Sequence, residues 1–177
     1  MYIYKIFYII FYMKISSVRL AFNGKPNNYL KIDEYVSRSA QPQKDDFKWL
    51  SEQGVTDVFN FRTMAVTGVD FDEKTEVERY GMRYHNIPSV TKLPKEENVD
   101  RFLKEVEEVK SREGKAHIHC KAGADRTGMY AFIYKSKQNI GNVVDNLKEW
   151  IALGHNKTRY PNLEDWACRF VKKKFNK

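Results

Sequence analysis

Cys120 and Arg126 stand six positions apart, with Lys121, Ala122, Gly123, Ala124 and Asp125 between them and Thr127-Gly128 after. A thiolate is a strong nucleophile, and a guanidinium can grip two phosphate oxygens at once while staying charged. A loop of this length can curl so that successive backbone N–H groups point inward at an anion, and Gly123 admits backbone angles or a close approach that a side chain would block. Ala122 and Ala124 leave room. A helix beginning near Arg126 would aim its unsatisfied N–H groups and positive dipole end at the same place. In that setting Cys120 is favoured as the thiolate and is the expected nucleophile, with residues 121 to 126 lining the phosphate. Arg126 would stabilise transition-state charge, and the Thr127 hydroxyl would help the sulfur leave when water cleaves a phosphocysteine. Taken singly, a cysteine is more often a buried structural thiol and an arginine a helix cap. The spacing of the two carries the reading.

Such a loop must be held between a strand and a helix, and the pattern around it supplies both. Lys115 to His119 reads as a short strand after Gly114. Upstream, Ser17 to Phe22 and Tyr35 to Ser37 read as short strands on either side of the turn-forming run at 23–26. Asp45 to Gln53 is helical and stops at Gly54, Val55 to Phe61 alternates like a strand, Asp70 to Tyr80 is helical, and Met82 to Ile87 is extended before Pro88. Between Glu96 and Arg112, the residues Val99, Phe102, Leu103, Val106 and Val109 recur every three or four positions, the mark of an amphipathic helix. From Met129 to Lys174 the chain reads as helices broken near Gly141 and between Gly154 and Pro161, with Val143, Val144, Leu147, Trp150 and Ile151 as a core stripe. Helices alternating with strands predict an α/β fold: a small, mostly parallel central sheet flanked by helices, with a helical C-terminal half. Ligands of such sheets bind beyond the carboxyl ends of the strands, where Cys120 falls.

The chain of 177 residues, 42% hydrophobic, matches one folded domain, read as residues 14–177. Residues 1–13 are aromatic and apolar but are interrupted by Lys5, too short to span a bilayer and followed by no small-residue cleavage site. They read as a tail, with residues 1–12 either not native, Met13 being the start, or disordered. A net charge of +8 favours anionic partners. The two cysteines, Cys120 and Cys168, are far apart and suggest neither a disulfide framework nor a zinc site, which fits a reducing, cytoplasmic setting. A metal site from His117, His119 and Cys120 is disfavoured, because alternation along a strand sends His119 and Cys120 to opposite faces. No metal or cofactor is expected. The terminal Lys172, Lys173, Lys174 and Lys177 read as solvated charge, and neither nucleic-acid binding nor stable membrane insertion is expected. The oligomeric state is left open.

His-Cys, five residues, then Arg-Thr-Gly resembles the signature of the protein tyrosine and dual-specificity phosphatase superfamily. The runs Ser37-Arg38-Ser39-Ala40-Gln41-Pro42 and Asn60-Phe61-Arg62 are similar to segments of its small atypical dual-specificity members. The resemblance spans roughly residues 30 to 170. It implies a compact α/β phosphatase, a metal-free hydrolysis in two steps, and a phosphate cradle at residues 121–126. Family members usually carry an aspartate general acid in the loop before the long helix, yet Ile87 to Pro94 contains no carboxylate. Candidates are Asp125, which resembles a carboxylate inside the loop of some phosphoinositide phosphatases, and Glu96, Glu97 or Asp100. Asp125 has an equal structural alternative, bonding neighbouring amides or pairing with Arg38 or Arg62. Those two arginines are expected to brace the loop from behind. The Cys-Lys-Ala-Gly start of the loop resembles a related bacterial group in which the lysine, here Lys121, suits a multiply phosphorylated inositol ring, though that group's second basic loop position is Ala124 in this chain. The expected substrates are therefore phosphotyrosine, phosphoserine or phosphothreonine in protein, or a phosphorylated inositol compound. The competing functions are a non-catalytic phosphate-binding module and, disfavoured by Arg126-Thr127-Gly128, a persulfide sulfurtransferase.

Overall fold

A computed structural model of the chain describes residues 24–63 and 69–177. The tail at 1–13 and the strand expected at Ser17 to Phe22 lie outside the described residues. In chain order the elements are β1 (Leu30–Lys31), β2 (Val36–Ser39), α1 (Lys44–Glu52), β3 (Asp57–Asn60), α2 (Glu73–Arg79), β4 (Arg83–Asn86), α3 (Glu96–Ser111), β5 (Ala116–His119), α4 (Asp125–Gln138), α5 (Val143–Ala152) and α6 (Leu163–Phe175). The five strands form one sheet in the order β1-β2-β5-β3-β4, antiparallel only at β1. This is the small, mostly parallel α/β sheet that the alternation predicts. Registers pair Ser39 and Asn60 with His119, and Asn60 with Asn86. The carboxyl ends of β2, β5, β3 and β4 are therefore level, and Ala40, Cys120, Phe61 and Ile87 leave the sheet side by side.

Period-two alternation divides the core into two layers. On one face Phe59, Ile118 and Cys120 join the buried apolar residues of α3, α4, α5 and α6, while Val58 on the other face joins Phe47, Leu50 and Val77 from α1 and α2. All five stripe residues of α3 are buried. The stripe expected on α5 is narrower: Trp150 is buried and Val143 and Leu147 are partly covered, but Val144 and Ile151 are 60% and 45% exposed. The reason is that α5 packs chiefly on α4, so one narrow face suffices and the flank bearing Val144 and Ile151 turns outward. Helix α2 begins later than the pattern suggests, because the Asp72 side chain accepts a hydrogen bond from Thr75 N at 3.1 Å and caps it.

His117 and His119 share the face opposite Cys120, both fully buried, with rings 6.3 Å apart. His117 lies between two hydroxyls, Ser37 Oγ at 2.9 Å from Nδ1 and Ser39 Oγ at 2.8 Å from Nε2. Ser39 gives its proton to Ala40 O, so His117 Nε2 carries the hydrogen and Nδ1 accepts from Ser37. Burial, with His119 nearby, holds His117 well below the ordinary imidazole value of 6.5. The unfolded chain takes up a proton there as pH falls and the folded chain does not, so this contribution is complete above 6.5 and is lost below it. Urea unfolding free energy is expected to rise between about pH 5 and 6.5 with a slope approaching 1.4 kcal/mol per unit, and to flatten in His117→Gln. An equally steep slope in the variant would assign the effect elsewhere.

Candidate active site

The loop leaves β5 at Cys120 and enters α4 at Asp125. Four successive carbonyls along it are held by donors from four distant places. Lys121 O accepts from Gln41 N at 3.1 Å, and Ala122 O from Asn28 Nδ2 at 3.2 Å. Gly123 O accepts from Arg38 Nη2, and Ala124 O from Trp150 Nε1 at 3.2 Å and from Gly128 N at 2.8 Å. In a planar trans peptide the N–H points opposite to the preceding carbonyl. Tying these carbonyls outward therefore turns the N–H groups of Ala122, Gly123, Ala124 and Asp125 toward the inside of the loop. Gly123 makes the turn at φ +69°, and a Cβ there would lie 2.5 Å from Ala40 N. The first turn of α4 points its N–H groups the same way.

Cys120 is 3% exposed. Arg38, buried behind the loop, is lowered by desolvation to about 10, with the charges of Cys120 and Glu149 opposing, so it stays cationic at neutral pH. Arg62 is also buried; desolvation and neighbouring Arg126 lower it, while Glu73 and Cys120 oppose. Its Nη1 donates to Gln41 Oε1, and Gln41 N in turn holds Lys121 O. Both arginines thus support the loop from behind, Arg38 directly and Arg62 through Gln41. Arg126 is partly exposed, and its Nη1 donates to Phe61 O at 3.2 Å. Ser89 N donates to the same carbonyl at 3.2 Å, so the segment after β4 starts against the Arg126 guanidinium. Thr127 Oγ1 is fully buried and has no hydrogen-bond partner among the described residues.

Asp125 contacts neither Arg38 nor Arg62 through any hydrogen bond or ion pair. Its Oδ1 lies 2.8 Å from His155 Nδ1 and accepts from Asn156 N at 2.8 Å, because the first turn of α4 faces the α5–α6 connection while Arg38 sits behind Gly123. Of the other carboxylates considered, Glu96 pairs with Lys173 at 3.0 Å and Asp100 with Lys174 at 2.7 Å, and Glu97 is exposed. Two lysines of the basic C-terminal run are thereby neutralised on α3. The sequence reading missed Glu73. It is buried on the face opposite Cys120, accepts from Asn60 Nδ2 at 2.9 Å and Gln41 Nε2 at 3.0 Å, and lies 2.7 Å from His119 Nε2. Burial pushes its carboxyl up, but His119, Gln41 and Arg62 outweigh this and hold it below the usual range. Asn28 and His155 also had no local signal, since each acts through a partner far along the chain, and Gln41 was marked only as part of the 37–42 run.

Residues 14–165 match the model of a family described as DSP-PTPase phosphatase fused to NAD+ kinase. The chain belongs to this family. No curated protein matches it. Among solved structures, a DUF442 protein of Shewanella putrefaciens CN-32 is 23% identical with a TM-score of 0.72, over 84% of this chain and 91% of its own. TpbA of P. aeruginosa is 21% identical with a TM-score of 0.64, over 83% and 84%. PTPMT1, crystallised with PI(5)P, is 17% identical with a TM-score of 0.67, over 83% and 99%. These likenesses show that the DSP-PTPase chain has the fold of those proteins. Within it, the segment after β4 and the α5–α6 connection both meet the Asp125–Arg126 end of the loop.

Proposed function

We propose that this DSP-PTPase chain hydrolyses phosphomonoesters through a phosphocysteine at Cys120. The observation that carries the proposal is the set of outward-held carbonyls at 121–124, which turns four N–H groups into the loop beside the buried cysteine. Cys120 Sγ attacks phosphorus, the ester P–O bond breaks, and its electron pair leaves on the substrate oxygen. The inward N–H groups and Arg126 stabilise the equatorial oxygens as charge spreads over them. Water then attacks phosphorus, giving its proton to the Asp125 carboxylate left by the first step, and the P–S bond breaks with its electron pair returning to sulfur. Thr127, whose buried hydroxyl has no partner among the described residues, donates to the departing sulfur.

Asp125 supplies the proton to the leaving oxygen in this scheme. One of its oxygens is engaged by His155 and Asn156, its side chain is 22% exposed, and Glu96 and Asp100 are committed to lysines. Asp125→Asn keeps an oxygen for both donors but carries no acidic proton. It is expected to lower kcat on a phosphoserine peptide by about a hundredfold and on 4-nitrophenyl phosphate by only a few-fold, since a phenol leaves readily without protonation. Equal losses on both would make Asp125 a positioning residue for the 153–162 segment.

The proposal is tested by measuring phosphate release from an aryl phosphate, phosphotyrosine and phosphoserine peptides, and inositol phosphates, with Cys120→Ser in parallel. Phosphorylated protein and phosphorylated inositol compounds are the proposed substrate classes. No Cys120-dependent release from any of them would leave a phosphate-binding module.

A further inference from the structure

A cleft of about 410 Å³ lies between the 91–94 segment and the start of α6, within the range of small-molecule sites. Lys92, Arg159 and Arg169 line it, all exposed, and no carboxylate does. None of the three forms an ion pair among the described residues, whereas Lys173, one turn beyond Arg169, is matched to Glu96. Arg159 lies over the Tyr160 ring at 5.5 Å, so the three cations line one concavity with an aromatic face and no carboxylate to answer them. Tyr160 and Trp166 add two aromatic walls.

Both walls of the cleft are tethered to the phosphate loop. The segment carrying Lys92 begins at Ser89, which shares the Phe61 carbonyl with Arg126. The connection carrying Arg159 begins at His155 and Asn156, which hold Asp125, and Asn156 O accepts from Tyr160 N at 3.0 Å. Both walls of the cleft therefore run back, within a few residues, to the Asp125–Arg126 end of the loop.

We infer that this cleft is a second anion subsite, and that the preferred substrate is a compact phosphomonoester bearing at least one further phosphate, with Lys92, Arg159 and Arg169 binding the phosphate that is not cleaved. This rests on the proposed phosphatase activity and narrows its substrate to polyphosphorylated small molecules or headgroups. Each cation contributes a charge-assisted contact.

The test compares KM for inositol hexakisphosphate, for a phosphatidylinositol bisphosphate in phosphatidylcholine vesicles, and for 4-nitrophenyl phosphate, in the native chain and in Lys92→Gln/Arg159→Gln/Arg169→Gln. The variant is expected to raise KM for a polyphosphate about tenfold or more relative to the aryl phosphate. A shift with the soluble compound assigns a free inositol phosphate, and a shift confined to vesicles assigns a lipid headgroup. Lys31→Gln/Lys104→Gln/Lys172→Gln, which removes three exposed cations outside the cleft, controls for net charge. An unchanged KM ratio, or the same shift in the Lys31/Lys104/Lys172 control, overturns the inference while leaving the activity standing. Absent Cys120-dependent turnover overturns the activity instead, and calorimetric binding of inositol hexakisphosphate to the native chain and the triple variant then decides the subsite alone, equal affinities refuting it.

Discussion

Cys120→Ser is expected to reduce phosphate release to the uncatalysed background, a loss on the order of 10⁴-fold or more, with the fold intact. Sulfur and oxygen differ little in size at a site that is 3% exposed, so packing is preserved. What changes is reactivity: a serine hydroxyl here has no histidine base to remove its proton, because His117 and His119 point to the opposite face of the sheet. The inward N–H groups remain, so the serine variant should still bind phosphate or a phosphopeptide, and calorimetry should detect that binding where turnover is gone. Arg126→Lys should lose about a hundred- to a thousandfold in kcat, because an ammonium cannot span two equatorial oxygens. Retained turnover in Cys120→Ser would remove the phosphocysteine from the mechanism.

The second large effect is structural. Gly123→Ala should destabilise the fold by about 3 kcal/mol or more, lowering Tm by about 6–12 °C, and should also abolish turnover. Two penalties combine. The left-handed φ of +69° costs an alanine about 1–2 kcal/mol, and its Cβ would sit 2.5–2.6 Å from Ala40 N and from Ser39 C and O. Those atoms are backbone at the end of β2, so relief requires the loop to move, which breaks the Arg38 contact to Gly123 O. Gly81→Ala separates the terms: its φ is +74° but nothing lies within 4 Å of the new Cβ, so only the conformational cost of about 1–2 kcal/mol is expected. Gly128→Ala carries no φ penalty but places Cβ 2.1 Å from the Trp150 indole, the donor to Ala124 O. Differential scanning calorimetry of the three variants checks the order, and equal Tm losses for Gly81→Ala and Gly123→Ala would show that the contact with β2 is not a constraint.

The loop, its cysteine and its arginine were legible because they are local. Nine consecutive residues carry the small side chains, the glycine and the helix start that a curled anion-binding turn needs, and backbone sterics act over that distance. The buried stripe of α3 followed from hydrophobic periodicity and the parallel sheet from the alternation of helices with strands. The flanking strand and helix were read instead from Gly114 and from the loop itself, α4 being buried on nearly every side. The width of the α5 stripe was not legible, since period alone says nothing about how much of a helix its neighbours cover.

Tertiary structure decided how the loop is aimed. Besides Gln41, the donors to its carbonyls are Asn28, Arg38 and Trp150, separated from their acceptors by 94, 85 and 26 positions. Asp125 found His155 rather than an arginine for the same reason, 30 positions away across the α4–α5 packing. Glu73 meets His119 only because β3 and β5 are neighbours while α2 covers their outer face. The sequence by itself determined which atoms can react, because reactivity belongs to residue types in a short run. Only the packed sheet and helices decided which way the backbone dipoles point and which cations are left unmatched, because those depend on what the fold brings within hydrogen-bonding distance.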